Sequence, residues 1–283
     1  MATDYVVINK ANWDERAPEH ARSPAYACQT LINNPEALSD VVRFDMPRLG
    51  DISNLDVVHL QCHIGTDTLS LARLGARSVV GLDFSSASLH EARQLVADAD
   101  CGERVRFVEA EVEKAVQALG RHCFDVVYTG IGALYWLPDI KAWAKTVSEL
   151  LRPGGMLFIR EAHPIWRTLD ETTEDGLKFK YPYFEQEEPM LFEFPGTYVP
   201  LGSGKAEFEA QKAVQWNRGL AEIVQAVIES GLQIVGLHEH QSLPWDALPG
   251  RMLRGADGEY ELREGKERLP LSYTLQAIKL SRR

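Results

Sequence analysis

The chain is predicted to be an α/β protein: a Rossmann-like, mostly parallel sheet of about seven strands, the last strand antiparallel, with an inserted cap. Three observations predict it. From about residue 55 to 165, short apolar stretches alternate with amphipathic ones, the pattern of strands crossing over through helices. Within that region VVHLQCHIGTDTL (57–69) carries an apolar strand through a short turn into a helix. A second apolar strand, VVGLDF (79–84), then closes on Asp83. A strand–turn–helix aims backbone N–H groups and a helix N-terminus at whatever sits on the turn. An acidic residue ending the next strand, about twenty residues on, is where such a sheet grips the two hydroxyls of a ribose. Together these features predict an adenosine-containing cofactor.

The elements follow in order. Strands are expected at 57–60, 78–82, 105–108, 125–129 and 156–159. Between them Leu69 and Ala72, then Leu89, Ala92 and Val96, carry helical spacing. Pro138 and Asp139 open a helix with Ile140, Trp143, Val147 and Leu150 on one face, because proline suits the first position and aspartate complements the dipole. Arg152–Pro–Gly–Gly155 ends it. Residues 166–216 break the alternation with prolines, the aromatic cluster YPYF (181–184) and two strand-like stretches, 191–199 and 206–216, separated by LGSGK. A hairpin or lid is expected there. Leu220, Ile223, Val224, Val227 and Ile228 form a periodic helix closed by Gly231, and strands at 232–238 and 272–280 pair antiparallel at the sheet edge. The expected organisation is a helical N-terminal lid (1–50), a cofactor-binding core (51–165), a cap over the active site (166–216) and a completion of the core sheet (217–283).

Composition excludes several classes. A net charge of −11, with acidic runs ETTED (171–175) and FEQEEP (184–189) and no basic cluster, is wrong for a nucleic-acid binder. Cys28, Cys62, Cys101 and Cys123 form no CxxC or Cys/His cluster, which points to a reducing compartment and no structural metal. No apolar run approaches the ~20 residues that span a bilayer, and the N-terminus lacks the regions of a signal peptide. The expectation is a cytoplasmic protein with a small-molecule partner, without nucleic acid or membrane, and with a homodimer left open.

Five linked stretches carry a family resemblance. VVHLQCHIG stands where a VLDLGCGTG strand end is usual, keeping Cys62 and Gly65 and departing at His59, Gln61, His63 and Ile64. LDFS (82–85), FVEAEV (107–112), FDVVYTGIGALYWLPD (124–139) and LLRPGGMLFI (150–159) match the second to fifth strands of the same pattern. The run from about 55 to 165 resembles the class I S-adenosylmethionine-dependent methyltransferases. The LQCHxGxDT variant, with EAHP (161–164) and LHEH (237–240), resembles a bacterial small-molecule subfamily of them over most of the chain. The resemblance implies S-adenosyl-L-methionine as cofactor, with Asp83 on the ribose, Phe84 beside the adenine, Glu111 near its amine and the Val112 N–H on a ring nitrogen. It places Gln61, Cys62, His63 and Gly65 against the methionyl part and Gly130 near the sulfonium. Losing two of three glycines removes tolerance for positive φ, and His63 is the residue most expected to strain or reshape the turn. NAD is disfavoured: with Gly65 alone, His63 and Thr66 crowd a pyrophosphate.

Methyl transfer is an in-line displacement, so alignment and exclusion of water matter most, and a base is needed only for a protonated nucleophile. Beyond the fourth and fifth strands the catalytic candidates are Tyr135, Glu161 and His163, with Trp136 as a pocket wall. Each has a plainer role: His163 ordering the turn before Pro164, Glu161 orienting a neighbouring loop, the aromatics packing. His238 and His240 lack a third metal ligand, so no metal is expected. Trp13, Tyr26, Tyr181, Tyr183 and Trp216 suit a pocket for a flat or apolar molecule. The expected function is methyl transfer to a small-molecule acceptor, in specialised metabolism. The alternatives are a cofactor-binding protein with lost or non-methylating activity, and a protein methyltransferase. A nucleobase amine is disfavoured because TGIG (129–132) replaces the [DNS]PP[YFW] clamp.

Overall fold

The computed structural model describes residues 4–173, 176–201 and 207–281. Helix α1 (Tyr5–Arg22) starts at Asp4, whose carboxylate accepts from Val7 N–H, and is followed by α2 (Cys28–Asn33) and α3 (Asp40–Leu49). The alternating core then runs β1 (Asp56–Leu60), α4 (Thr66–Arg73), β2 (Ser78–Asp83), α5 (Ser86–Asp98), β3 (Val105–Glu109), α6 (Ala115–Leu119), β4 (Phe124–Thr129), α7 (Ile140–Leu150) and β5 (Leu151–Ala162). A hairpin of β6 (Met190–Glu193) and β7 (Lys212–Gln215) precedes α8 (Leu220–Glu229) and β8 (Leu232–His240). Three short strands, β9 (Ser242–Leu243), β10 (Met252–Arg254) and β11 (Tyr260–Leu262), come before β12 (Ser272–Lys279).

The main sheet has seven strands in the order β3-β2-β1-β4-β5-β12-β8. Strands β1 to β5 are parallel, and β12 runs antiparallel to both neighbours, β5 and β8. Alternation along the buried strands splits the core into two layers. Val58, Leu60 and Val127 face α7 and α8, packing on Trp143, Val147 and Val227. Val57, Val126 and Tyr128 face the other way, onto Val42, Leu69 and Leu95. The strand order reverses between β1 and β4, which opens a crevice at their C-terminal ends.

Three expectations change. The helix before Arg152 does end at Leu150, but Arg152–Gly155 is the irregular start of β5 rather than a loop. A Cβ on Gly155 would stand 3.0 Å from Asp125 O, so the close approach of β4 requires glycine there. The hairpin at 191–199 and 206–216 is shorter than expected, because Pro195 has no N–H to donate and Arg16 takes the Phe194 and Gly196 carbonyls. The link LGSGK, from Gly202 on, and the last two residues of ETTED lie outside the described residues. The small β10-β11-β9 sheet is absent from the sequence-based expectation, its strands being too short for a periodic signal. It is tied to the main sheet by fully buried Arg160, which bonds both Glu259 oxygens at 3.1 and 2.6 Å and lies 3.6 Å over the Phe44 ring. No described helix is long and apolar enough to cross a membrane.

Candidate functional site

The turn after β1 forms one wall of the crevice. Gln61 (φ 55°) and His63 (φ 49°) both adopt the left-handed region, at a cost of roughly 1–2 kcal/mol per non-glycine residue. Hydrogen bonds offset that strain. His63 N–H donates to Asp83 Oδ2 at 2.8 Å, and Gln61 Nε2 donates to Ala133 O at 3.0 Å. The His63 ring joins Ser88 Oγ through Nδ1 (3.0 Å) and His20 Nδ1 through Nε2 (2.8 Å), and His20 Nε2 meets Thr197 Oγ1 at 2.6 Å. Gly65 is required by packing, since a Cβ there would stand 2.8 Å from Ala92 Cβ on α5. Buried Cys62 donates its N–H to Leu82 O across the strands.

Asp83 is 6% exposed, and its carboxylate accepts from His63 N–H and Ser85 N–H. Burial pushes it up to about 6, against the pull of those N–H groups and of Lys10. Helix α1 lies across the loop that follows: Lys10 Nζ donates to Phe84 O (2.8 Å), and Asp14 accepts from Ser85 Oγ (2.6 Å) and Ala87 N–H. Phe84, Ala110 and Glu111 line one side of a groove of about 580 Å³, with Val6 and Lys10 of α1 opposite. Glu111 pairs with Lys114 at 2.7 Å, and Val112 opens a short 3₁₀ turn.

The turn after β4 forms the other wall. Gly130 is buried, and a Cβ on it would lie 3.3 Å from both Asp67 Oδ2 and His59 Nε2. Glu161, at the end of β5, accepts from Gly132, Ala133 and Leu134 N–H (2.6–2.7 Å) and from Ala162 N–H (2.6 Å). Burial raises its carboxyl and these four donors oppose the rise. Of the two roles expected for Glu161, these four bonds match the orienting of the neighbouring loop. His163 likewise takes the turn-ordering role expected beside the catalytic one. Its Nδ1 accepts from Ile165 N–H at 3.1 Å, ordering the turn, and its Nε2 lies 3.0 Å from Glu239 Oε1 on β8. Tyr135 is partly buried, with the Arg167 guanidinium 4.0 Å over its ring, and burial pushes its hydroxyl up to about 12, away from use as a base.

Above the crevice the aromatics meet edge to face or tilted. Trp13 touches Trp136 (5.2 Å between centroids) and His63 (4.8 Å); His20 touches Tyr198 (5.0 Å); Tyr198 reaches Trp245 (5.9 Å). The Tyr26 and Tyr198 hydroxyls are hydrogen-bonded. Of the aromatics expected to line a pocket, the structure gathers Trp13 and Tyr26 above the crevice and sets Tyr181, Tyr183 and Trp216 apart from them, Trp216 lining a small cavity with Tyr135, Glu161 and Arg167. Tyr181 packs on Phe192, Tyr183 caps the α8 start at Leu220 N–H and Trp216 abuts Tyr5. His240 bonds Thr274 Oγ1, and among the described residues no group of His, Cys, Asp and Glu could hold a metal. Sequence reasoning placed His20 in the expected N-terminal lid without a partner, and missed Thr197, Tyr198 and Trp245. One signal was available: α1 buries Asn9, Asn12, Arg16 and His20, a polar stripe at helical spacing.

The crevice has the properties of a nucleoside-cofactor site. Gln61 Oε1, Thr129 Oγ1 and Trp136 Nε1 are buried without a hydrogen-bond partner, at or just beyond the ends of β1 and β4. Such orphans are costly unless a ligand completes them. With the groove beside Phe84 and Glu111, the residues present fit an adenosine carrying a polar amino-acid tail.

The sheet order and the acid ending β2 define a class I S-adenosylmethionine-dependent methyltransferase fold. Residues 57–155 match a family model described as a methyltransferase domain. Over 189 residues the chain is 34% identical to the trans-aconitate 2-methyltransferase of Deinococcus radiodurans, covering 58% of this chain and 68% of that one. It is 28% identical to methyltransferase phqN of Penicillium fellutanum over 161 residues, 53% of this chain and 48% of the fungal one. It thus spans about half to two thirds of these curated relatives. A solved S-adenosylmethionine-dependent methyltransferase from Mesorhizobium loti superposes with a TM-score of 0.59 at 22% identity, covering 85% of this chain and 98% of that one. The chain belongs to the S-adenosylmethionine-dependent methyltransferase family.

Proposed function

We propose that the protein transfers a methyl group from S-adenosylmethionine to a small-molecule acceptor held beneath the cap. The observation that carries this reading is the crevice at the ends of β1 and β4, where Gln61, Thr129 and Trp136 each hold a buried polar atom without a partner and Asp83 ends the neighbouring strand β2. When bound, the cofactor supplies an electrophilic methyl group on a sulfonium. Asp83 holds the ribose with the lone pairs its two N–H bonds leave unused, and Phe84 and Glu111 hold the adenine in the groove. Gln61 Oε1 and Trp136 Nε1 supply an acceptor and a donor for polar groups at the methionyl end. Glu161 keeps the 132–134 loop in place beside the acceptor, and Trp13, Tyr26, Trp136 and Tyr198 exclude water.

The test is calorimetric titration with S-adenosylmethionine and S-adenosylhomocysteine, on the wild type and on Asp83→Ala. Micromolar binding that the substitution removes is expected. A folded wild type that binds neither overturns the reading.

A further inference from the structure

We propose that His20 is a positioning residue: through its hydrogen bond to His63 it holds the glycine-poor cofactor turn in its left-handed shape, so that cofactor binding depends on the docked lid. The inference rests on the reading that this turn faces the cofactor.

Glycine adopts φ > 0 freely, whereas Gln61 (φ 55°) and His63 (φ 49°) must be held there. Gln61 is held from within the core, by Ala133 O. His63 is held differently. Its N–H is taken by Asp83, but its ring, the part that sets where the turn points, is fixed by Ser88 on one side and His20 on the other.

His20 is fully buried on α1, and its second nitrogen reaches Thr197 in the cap. It cannot be in place unless helix and cap are docked together, and many bonds make them one body. Asn9 exchanges two bonds with the Val214 backbone, and Asn12 donates to Ala210 and Lys212 carbonyls. Arg16 donates to the carbonyls of Ala210, Phe194 and Gly196, and Ser23 to Pro200 O. The chain Ser88–His63–His20–Thr197 therefore joins the core, the turn, the lid helix and the cap in a single line of hydrogen bonds.

The line works with both imidazoles neutral. One ring must donate and the other accept, and the hydroxyls of Ser88 and Thr197 can serve either direction. A second proton on both rings would set N–H against N–H at 2.8 Å. Burial and nearby Arg16 keep His20 uncharged, down to about 3, and burial with His20 lowers His63 too. Because Tyr26 and Tyr198 pack on the same His20 ring, the aromatic enclosure and the cofactor turn share one side chain.

A rescue experiment separates positioning from packing. S-adenosylhomocysteine affinity and Tm are measured for wild type, His20→Ala, His63→Gly and the double variant. Where His63 is retained, His20→Ala is expected to weaken binding about tenfold. In the His63→Gly background the turn needs no latch, and the same substitution changes affinity by less than about twofold. Tm falls with His20→Ala in both backgrounds, because the contacts to Tyr26 and Tyr198 are lost either way. Equal loss of affinity in both backgrounds, or none in the first, overturns the inference while leaving the cofactor reading standing. A wild type that binds no S-adenosylhomocysteine overturns both. Should His20→Ala fail to fold, His20→Phe takes its place with the same expected and overturning results, since its ring fills the space but has no nitrogen to bond His63 or Thr197.

Discussion

The two turns that flank the crevice face the same task and are held by different means. The turn after β4 is fixed from inside the sheet: Glu161 gathers Gly132, Ala133 and Leu134 N–H groups with one buried carboxylate. The turn after β1 is fixed partly from outside, by a ring whose partner sits on α1 and whose next partner sits in the cap. Charge-assisted bonds within a rigid sheet give a wall that persists whatever the lid does. Neutral bonds to a separate helix make the other wall depend, on the proposal above, on the docking of that helix. One side of the crevice is scaffold, and the other is assembled.

That contrast can be broken or sharpened by substitution. The largest effect is expected from Glu161→Ala, which strips four N–H groups of their acceptor. At roughly 1–3 kcal/mol for each unsatisfied buried group, partly relieved by water, a loss of about 4 kcal/mol in urea unfolding is expected. A loss under about 1 kcal/mol would show that the loop does not need the carboxylate. Next comes Asp83→Ala, which removes the ribose acceptor and frees His63 N–H; S-adenosylhomocysteine binding is expected to fall by about 100-fold, read by calorimetry.

Acid stability gives a smaller, signed effect. His20 is buried neutral, at about 3 against an ordinary value near ~6.5. The unfolded chain therefore binds the proton first as pH falls. His20's contribution is intact above about pH 6.5 and is lost progressively down toward pH 3, by at most about 1.4 kcal/mol per pH unit. Asp45 and Asp83, raised by burial to about 7 and about 6, act in the opposite sense over part of that window, so wild type and variant must be compared at equal pH. His20→Gln should show a shallower fall in urea midpoint between pH 6.5 and 4; parallel curves would mean that His20 takes up its proton in the native state. The smallest effect is expected at Gly130→Ala on the scaffold side. Its φ suits any residue, and Asp67 and His59 need yield only slightly, so under about 1 kcal/mol is expected from the same unfolding assay.

Much of the core can be read locally. The strands expected at 57–60 and 78–82 are β1 and β2 to within a residue at each end, because buried parallel strands are continuous apolar runs. The helix expected to open at Pro138 and Asp139 begins at Ile140: Asp139 is its cap, through Lys141 and Ala142 N–H, and Pro138 lies just outside. The short strands β9 to β11 are illegible because two or three residues carry no period. Of the site, spacing points to Asp83 and the family resemblance implies Phe84, Glu111, Gln61, His63 and Gly130; in the structure these lie along the crevice and its adjoining groove. Glu161 and His163 stand out with two roles each, catalytic or ordering, because a sequence shows that a carboxylate stands at a strand end and not which N–H groups surround it.

The sequence by itself determined the order of strands and helices, the acid at the end of β2 and the absence of glycines at 61 and 63. Each is a matter of neighbouring residues and their conformational limits. Only the tertiary structure decided what compensates for the missing glycines. His20 lies 43 residues from His63, and Thr197 lies 177 from His20. Such partners are chosen by the docking of α1 across the sheet and by the path of the cap, and no local pattern encodes either.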